Sequence, residues 1–115
     1  MPAVSFTNAL AGNVAIVTGG TRSVGEGIVK ALARAGATVY LTGSSTPDET
    51  ARRIADETGN CKLFGIQLDH SDDTATAEFY KRIQQEQGGR LDILVNNAIA
   101  GARYVLTETY DANAR

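Results

Sequence analysis

Four short segments of the chain are rich in apolar and β-branched residues. The first of them, residues 14–17, reads VAIV and contains no polar side chain. Such a run is typical of a strand that is buried on both faces of a parallel sheet. The pattern predicts strands at residues 14–17, 38–42, 62–68 and 91–96.

Between these strands, apolar side chains recur every three to four residues, which is typical of helices that pack one face against a sheet. Gly36 ends the first predicted helix. The second is predicted to begin with a capping box, with Thr46 at the cap and Glu49 three positions on, and Ser71 is the predicted cap of the third. The predicted inner faces are Val24, Ile28, Ala31, Leu32 and Ala35; Ala51, Ile54, Ala55 and Thr58; and Ala75, Phe79, Tyr80 and Ile83.

The alternation of strand and helix predicts the fold class. We expect an α/β fold with a Rossmann-like, doubly wound parallel sheet in the strand order 3-2-1-4. Ligands of such sheets bind outside the carboxyl ends of the strands, where the strand order reverses. Gly19, Gly43, Asp69 and Asn97 each lie just beyond a predicted strand. We therefore expect these residues to surround one site.

The join between the first strand and the first helix is rich in glycine and reads TGGTRSVGEGI over residues 18–28. Glycines let an anion approach backbone N–H groups at the positive end of a helix dipole, so this turn is a candidate phosphate site. Its glycine spacing does not match the dinucleotide fingerprint G-x-G-x-x-G. A P-loop is excluded, because Glu26 and Gly27 stand where that motif needs Lys and Ser or Thr.

Two segments resemble motifs of a known family. Residues 18–25, TGGTRSVG, resemble the T-G-x-x-x-G-x-G turn of the short-chain dehydrogenase/reductases, and residues 91–98, LDILVNNA, resemble the family's strand-four block ending in N-N-A-G. The resemblance covers about residues 10–101, and the ending N-N-A-x-A-G is most similar to the dehydrogenase/reductase family member 1 branch. It implies an oxidoreductase that moves hydride between a nicotinamide cofactor and a carbonyl or alcohol. The cofactor-binding residues it implies are Gly19, Thr21, Arg22, Ser23, Val24, Gly25, Gly43, Ser44, Asp69, Asn97 and Ala98.

The end of the second strand bears on which dinucleotide is expected. An NAD-preferring site needs a carboxylate there for the ribose 2′-OH, whereas this chain has Gly43 followed by Ser44. Arg22 matches a position where NADP-preferring members carry a basic residue, and a guanidinium can hold a phosphate through two hydrogen bonds. The resemblance therefore implies NADP(H) rather than NAD(H). It also places Asp69 near the adenine ring and gives Asn97 a partly structural role.

Three departures from the family pattern bear on function. Ser23 replaces the middle glycine of the turn, which costs about 1 kcal/mol if the position has a positive φ. Ile99 stands where the family has glycine and would crowd the nicotinamide side. The family's catalytic Ser and Tyr-x-x-x-Lys cannot be placed, so no catalytic residue is named. Tyr40, Tyr80, Tyr104 and Tyr110 are followed four residues later by Ser44, Gln84, Glu108 and Ala114.

Length and composition narrow the possible partners. The chain has 115 residues, of which 43% are hydrophobic, and a net charge of −2, so it has no basic field to attract nucleic acid or anionic membranes. No apolar run is long enough to span a bilayer and residues 1–10 do not resemble a signal peptide, so we expect a cytoplasmic location. With one cysteine and one histidine, Cys61 and His70, neither an internal disulfide nor a zinc site is expected. Cys61 is interpreted as an apolar filler and His70 as a surface residue.

The missing catalytic segment leads to two expectations. Residues 1–115 are expected to form one incomplete domain that ends before the fifth strand of the sheet and is inactive alone. In the family the strand at 91–96 is interior, whereas here Ile93, Leu94 and Val95 would lie at an edge. Exposed edges of high β-propensity pair with other chains, so we expect self-association.

Two other functions remain open at this point. The chain could be a module that holds a dinucleotide without catalysis. It could also be the core of a Rossmann-like methyltransferase, although the adenosyl ligand of that class also calls for an acid after the second strand.

Overall fold

The computed structural model describes residues 8–98 of the chain. The predicted alternation of strand and helix is confirmed, with strand ends that differ from the predicted ones by one or two residues. The elements are β1 (Val14–Thr18), α1 (Ser23–Arg34), β2 (Thr38–Gly43), α2 (Pro47–Thr58), β3 (Leu63–Gln67), α3 (Asp73–Glu86) and β4 (Ile93–Asn96).

The strands form one parallel sheet in the order β3-β2-β1-β4, as predicted. In the register of the sheet, Ile16 of β1 lies opposite Tyr40 of β2 on one side and opposite Leu94 of β4 on the other. Because all the pairings are parallel, the carboxyl ends of the four strands reach the same edge of the sheet.

Two apolar cores lie on opposite faces of this sheet, because successive strand residues point to opposite sides. Ala15 is buried on one face with Val29 of α1 and Ile54 of α2. Ile16 is buried on the other face with Phe79 of α3. Burying a side chain as large as Ile or Phe stabilises the fold by about 1.5–3 kcal/mol. Helices on both faces give the doubly wound arrangement that the sequence predicts.

The buried face of α1 differs from the predicted one. Its fully buried residues are Gly25, Val29 and Ala33, spaced four residues apart. Val24, which was predicted to face the sheet, is 69% exposed, and Ala31 is exposed as well. Ile28 and Leu32 pack against the core and Ala35 is buried, as predicted. The prediction was wrong for Val24 and Ala31 and missed Gly25, because it followed apolar side chains and a glycine contributes none.

Thr46 is the N-cap residue of α2 as predicted, but the predicted capping box is absent, and the predicted cap of α3 at Ser71 is wrong. Thr46 precedes α2 with a left-handed backbone, φ 48°, and its side chain makes no capping hydrogen bond. A residue whose side chain caps a helix normally has an extended backbone conformation, which Thr46 does not have. In α3 the cap is Asp72, whose Oδ1 accepts from the N–H of Ala75 at 3.0 Å. The Ser71 hydroxyl donates to Asp69 Oδ1 at 2.6 Å instead.

The strand β4 has β1 on one side, and within residues 8–98 no strand pairs with its other side. Leu94 is 46% exposed, and Leu91, which precedes the strand, is 40% exposed. Ile93 and Val95 are partly buried against the core that α1 and α2 cover. Among the described residues, β4 therefore presents both unpaired backbone groups and apolar side chains.

Candidate functional site

The carboxyl ends of the four strands border a cleft of about 510 Å³. The structure thus brings together Gly19, Gly43, Asp69 and Asn97, each from a different strand end. Of the predicted site residues only Gly25 is absent from the lining. The others are Gly19, Thr21, Arg22, Ser23, Val24, Gly43, Ser44, Asp69, Asn97 and Ala98.

A second cleft, of about 600 Å³, runs along the outer side of β3 and includes Arg52, Cys61 and Phe64. Cys61 is exposed there, so its interpretation as an apolar filler is wrong. This second cleft contains no predicted site residue, and β3 is the only strand that lines it. Parallel sheets bind ligands where several strand ends converge. The cleft at the carboxyl edge is therefore the candidate site.

The glycine turn after β1 is anchored to the end of β2 through Thr42. The N–H of Gly19 donates to Thr42 Oγ1 at 3.3 Å, and the N–H of Gly20 donates to the Thr42 carbonyl oxygen at 2.9 Å. Gly19 has a left-handed backbone, φ 67°, which favours glycine. These two N–H groups are thus occupied within the fold, which corrects the sequence-based expectation that the glycine turn offers them to an anion.

The N–H groups available to an anion are those of the first turn of α1. The N–H groups of Ser23, Val24 and Gly25 have no acceptor within the helix, and the side chain of Arg22 at the N-cap makes no capping bond. The positive end of the helix dipole lies at the same place. The first turn of α1, rather than the Gly19–Gly20 peptide, provides the candidate anion site.

Gly25 determines how closely α1 approaches the turn. A Cβ atom at Gly25 would overlap the Gly19 carbonyl oxygen and lie 2.6 Å from Asn97 Nδ2. Gly25 therefore lies behind the cleft lining and allows the helix N-terminus to reach it.

Ser23 is the first residue of α1 and has φ 39°. Ser23 therefore has the positive φ that makes a serine less favourable than a glycine at this position. The strain costs about 1 kcal/mol. Ser23 is exposed within the cleft lining.

The end of β2 bears no acidic side chain, and the packing there explains why it ends in glycine. A Cβ atom at Gly43 would overlap Cγ2 of Thr21 and lie 2.8 Å from its Oγ1. Ser44 is exposed, and its carbonyl oxygen accepts from Gln67 Nε2 at 3.1 Å. Arg22 is exposed in the lining of the same cleft and forms no ion pair with any described residue.

Asp69 follows β3 and is held in a defined orientation by Ser71. Its Oδ1 accepts from the Ser71 hydroxyl at 2.6 Å and from the Ser71 N–H at 2.9 Å. The hydrogen bond from the Ser71 hydroxyl, and to a lesser extent the one from the Ser71 N–H, holds the pKa of the Asp69 carboxyl below its ordinary value. Asp69 is therefore ionised at neutral pH, and among the described residues its Oδ2 has no hydrogen-bond donor.

The end of β4 is fixed to β1 by the Thr18 hydroxyl. Thr18 Oγ1 donates to the Val95 carbonyl oxygen at 3.3 Å and accepts from the N–H groups of Asn97 and Ala98, each at 3.0 Å. The Asn97 side chain donates from Nδ2 to the Gly19 carbonyl oxygen at 3.1 Å. This contact gives Asn97 the structural role that the resemblance implies. Ile99 lies outside the described residues.

Sequence reasoning missed a pair of residues in the lining, Thr42 and His70. Thr42 is fully buried, and its Oγ1 lies 2.8 Å from Nε2 of the half-buried His70. The signal that could have found Thr42 is a hydroxyl near the end of an otherwise apolar buried strand. Nothing local distinguishes His70 from a surface residue, because its contact is made across the fold.

The two described tyrosines lie outside the cleft. The Tyr40 hydroxyl donates to Glu86 Oε1 at 3.0 Å and accepts from Gln87 Nε2 at 2.9 Å. Burial raises the pKa of Tyr40. Tyr80 packs edge-on against Phe79 with ring centroids 5.3 Å apart. Tyr104 and Tyr110 lie outside the described residues.

Between residues 8 and 98 no helix has the length and apolar character needed to cross a membrane. The same residues contain no cluster of three or more His, Cys, Asp or Glu side chains that could hold a metal ion.

Comparison with known proteins gives consistent matches. The sequence model of the family described as short chain dehydrogenase matches residues 13–114. Dehydrogenase/reductase SDR family member 1 of Mus musculus is 40% identical over 100 residues, which cover 85% of this chain and 31% of that protein. The chain spans about a third of the length of the curated relatives it matches.

Two solved structures with bound cofactor are similar to this chain. RhlG of Pseudomonas aeruginosa, in a complex with NADP, has a TM-score of 0.69 at 33% identity, covering 86% of this chain and 37% of that one. L-sorbose reductase of Gluconobacter frateurii, complexed with NADPH and L-sorbose, has a TM-score of 0.73 at 26% identity, with the same two coverages. These matches support the oxidoreductase interpretation, and they support neither a methyltransferase core nor a non-catalytic module.

Proposed function

Because the chain belongs to the short chain dehydrogenase family, we propose that residues 8–98 hold the dinucleotide of an oxidoreductase. The observation that carries the proposal is the cleft at the carboxyl edge of the sheet, where the first turn of α1 meets the other three strand ends. A nicotinamide dinucleotide bound there would supply hydride transfer to or from a carbonyl or alcohol substrate.

Each part of the cleft fits one part of that ligand. The N–H groups of Ser23 and Val24, at the positive end of α1, suit the pyrophosphate. The Asp69 carboxylate, oriented by Ser71, suits the adenine amino group through Oδ2. Asn97 acts indirectly in this proposal, because its side chain fixes the Gly19 carbonyl oxygen.

We propose NADP(H) rather than NAD(H) as this dinucleotide. Gly43 at the end of β2 provides no acidic side chain that would bind a ribose 2′-OH and repel a 2′-phosphate. The exposed guanidinium of Arg22 lines the same cleft and can bind that phosphate through two hydrogen bonds. The NADP complex of RhlG and the NADPH complex of L-sorbose reductase are in line with this choice.

Fluorescence titration of the 115-residue chain with NADPH and with NADH tests the proposal. The chain should bind NADPH more tightly, and Arg22→Ala should lower NADPH affinity by roughly tenfold while leaving NADH affinity unchanged. Arg52→Ala, which removes an exposed arginine from the other cleft, is the matched control and should change neither affinity. Equal affinities in the unmutated chain, or equal losses in the two variants, would contradict the role of Arg22.

Catalysis is proposed to need groups other than those in these 115 residues. No tyrosine of the sequence is followed four residues later by lysine. The 115-residue chain should therefore reduce no carbonyl with NADPH above background across a panel of aldehydes and ketones. Turnover that a single substitution within the chain abolishes would refute this.

Self-association through β4 is the remaining part of the proposal. The exposed Leu94 supports it, as does the side of β4 that no strand of residues 8–98 pairs with. A cytoplasmic location and the absence of nucleic-acid partners stay predictions from composition.

A further inference from the structure

The buried Thr42 hydroxyl links the glycine turn to the loop after β3. Thr42 Oγ1 accepts from the N–H of Gly19 at 3.3 Å and lies 2.8 Å from Nε2 of His70. Thr42 is 0% exposed, so water does not reach its hydroxyl. These two hydrogen bonds thus connect Gly19 after β1, through Thr42 of β2, to His70 in the loop that follows β3.

Proton counting fixes the direction of these bonds. A hydroxyl has one proton and two lone pairs. One lone pair takes the Gly19 N–H, and within the described residues Nε2 of His70 is the acceptor in reach of the hydroxyl proton. The Thr42 hydroxyl is satisfied only when Nε2 is unprotonated and the His70 ring proton is on Nδ1.

We propose that His70 is a positioning residue for the dinucleotide turn and acts through Thr42. The proposal rests on the proposed function for its ligand, NADP(H). With neutral His70, Thr42 directs a lone pair at the Gly19 N–H and holds the turn in place for the ligand. With protonated His70, Nε2 becomes a donor, the buried hydroxyl proton loses its acceptor, and the turn loosens.

The charged groups around His70 do not offer a substitute acceptor for the hydroxyl proton. Asp69 and Arg22 line the same cleft. Among the described residues Thr42 Oγ1 forms no hydrogen bond with either oxygen of Asp69, and Arg22 has only donors. Asp72, at the start of α3, accepts from Ala75.

The first test uses NMR of the ligand-free chain. His70 is the only histidine, so its ring ¹⁵N signals need no assignment by mutation. The neutral ring should be unprotonated at Nε2 and protonated at Nδ1, and the protection of the Gly19 amide relative to its intrinsic exchange rate at each pH should fall when acid protonates the ring. A neutral ring that carries its proton on Nε2 would overturn the proposal, whether or not the chain binds NADPH.

The second test compares NADPH affinity in the chain and in His70→Gln, whose side-chain carbonyl can accept the same hydroxyl proton but does not titrate. His70→Gln should bind as the unmutated chain does when His70 is neutral, whereas His70→Ala should bind roughly tenfold more weakly. Once the ring ¹⁵N signals report that acid has protonated His70, the unmutated chain should have lost roughly tenfold more affinity than His70→Gln over the same pH change. Both proteins bind the same NADPH, so the effect of protonating its 2′-phosphate is equal in the two and cancels in the comparison.

Two outcomes of the second test would contradict the proposal. One is an identical pH dependence in the chain and in His70→Gln. The other is additive losses from His70→Ala and Thr42→Val, because a residue that acts through Thr42 should add nothing once the hydroxyl is gone. If His70→Gln does not fold, the NMR result on the unmutated chain decides alone. Failure of the unmutated chain to bind NADPH would instead contradict the proposed function.

Discussion

Two glycines of α1, Gly25 and Gly27, offer a paired test of how the helix meets the glycine turn. Both lie in the helix, so replacing either with alanine should gain about 1 kcal/mol of helix propensity. Only Gly25 is packed: its added Cβ would overlap the Gly19 carbonyl oxygen, whereas a Cβ at Gly27 meets nothing within 4 Å. The two substitutions should therefore have opposite signs.

The magnitudes follow from these contacts. Overpacking against a fixed backbone atom costs about 1–3 kcal/mol or more, which exceeds the gain in propensity. We expect Gly27→Ala to raise the free energy of unfolding by about 0.5–1 kcal/mol and Gly25→Ala to lower it by about 1–2 kcal/mol. For a domain of this size, 1 kcal/mol corresponds to about 4–8 °C in Tm.

Urea unfolding followed by circular dichroism measures both changes, with an unchanged m value showing that the comparison is valid. NADPH affinity should fall in Gly25→Ala and stay the same in Gly27→Ala, because only the first substitution displaces the turn. A Gly25→Ala chain as stable as Gly27→Ala, with intact NADPH binding, would refute the close approach of α1 to Gly19.

Three further predictions follow from other contacts. Gly43→Ala should lower the free energy of unfolding by about 1–2 kcal/mol, and adding Thr21→Ala, which removes the overlapping methyl group, should restore part of it in urea unfolding. Arg90 and the Val14 N–H lower the pKa of Asp92, so its stabilising effect is present above the unfolded pKa of about 4 and is lost as pH falls through the folded value. Asp92→Asn should thus be less stable than the chain at pH 7, and urea titrations repeated at lower pH should show the gap closing below about pH 4; a constant gap would contradict this. Leu94→Lys should reduce self-association in light scattering, whereas Phe64→Lys on the opposite edge strand should not; a monodisperse unmutated chain would refute association through β4.

Periodicity along the chain was sufficient to predict the strands, the helices and the strand order. The apolar runs at β1 and β2 are unambiguous because both faces of a central parallel strand are buried. The inner faces of α2 and α3 were also predicted, since Ile54, Phe79 and Ile83 carry large apolar side chains. The face of α1 was predicted only in part, because Gly25 is buried for its lack of a side chain.

The site was predicted in its location but not in its internal bonding. Strand ends converge in any sheet of this topology, so Gly19, Gly43, Asp69 and Asn97 could be placed together without coordinates. Which N–H groups remain for a ligand depends on partners distant in sequence. The Gly19 and Gly20 N–H groups are taken by Thr42, which lies more than twenty residues away. The contact between Thr42 and His70 is also set by tertiary structure and leaves no local pattern.

The most direct test of the central claim is to locate the dinucleotide on the chain. Titrating the ¹⁵N-labelled 115-residue chain with NADPH should shift the amide signals of Ser23, Val24 and Gly25 most strongly, together with Asp69, and should leave Arg52 and Phe64 in the outer cleft of β3 unchanged. Saturable shifts confined to the outer cleft, or no saturable shifts at all, would contradict the account.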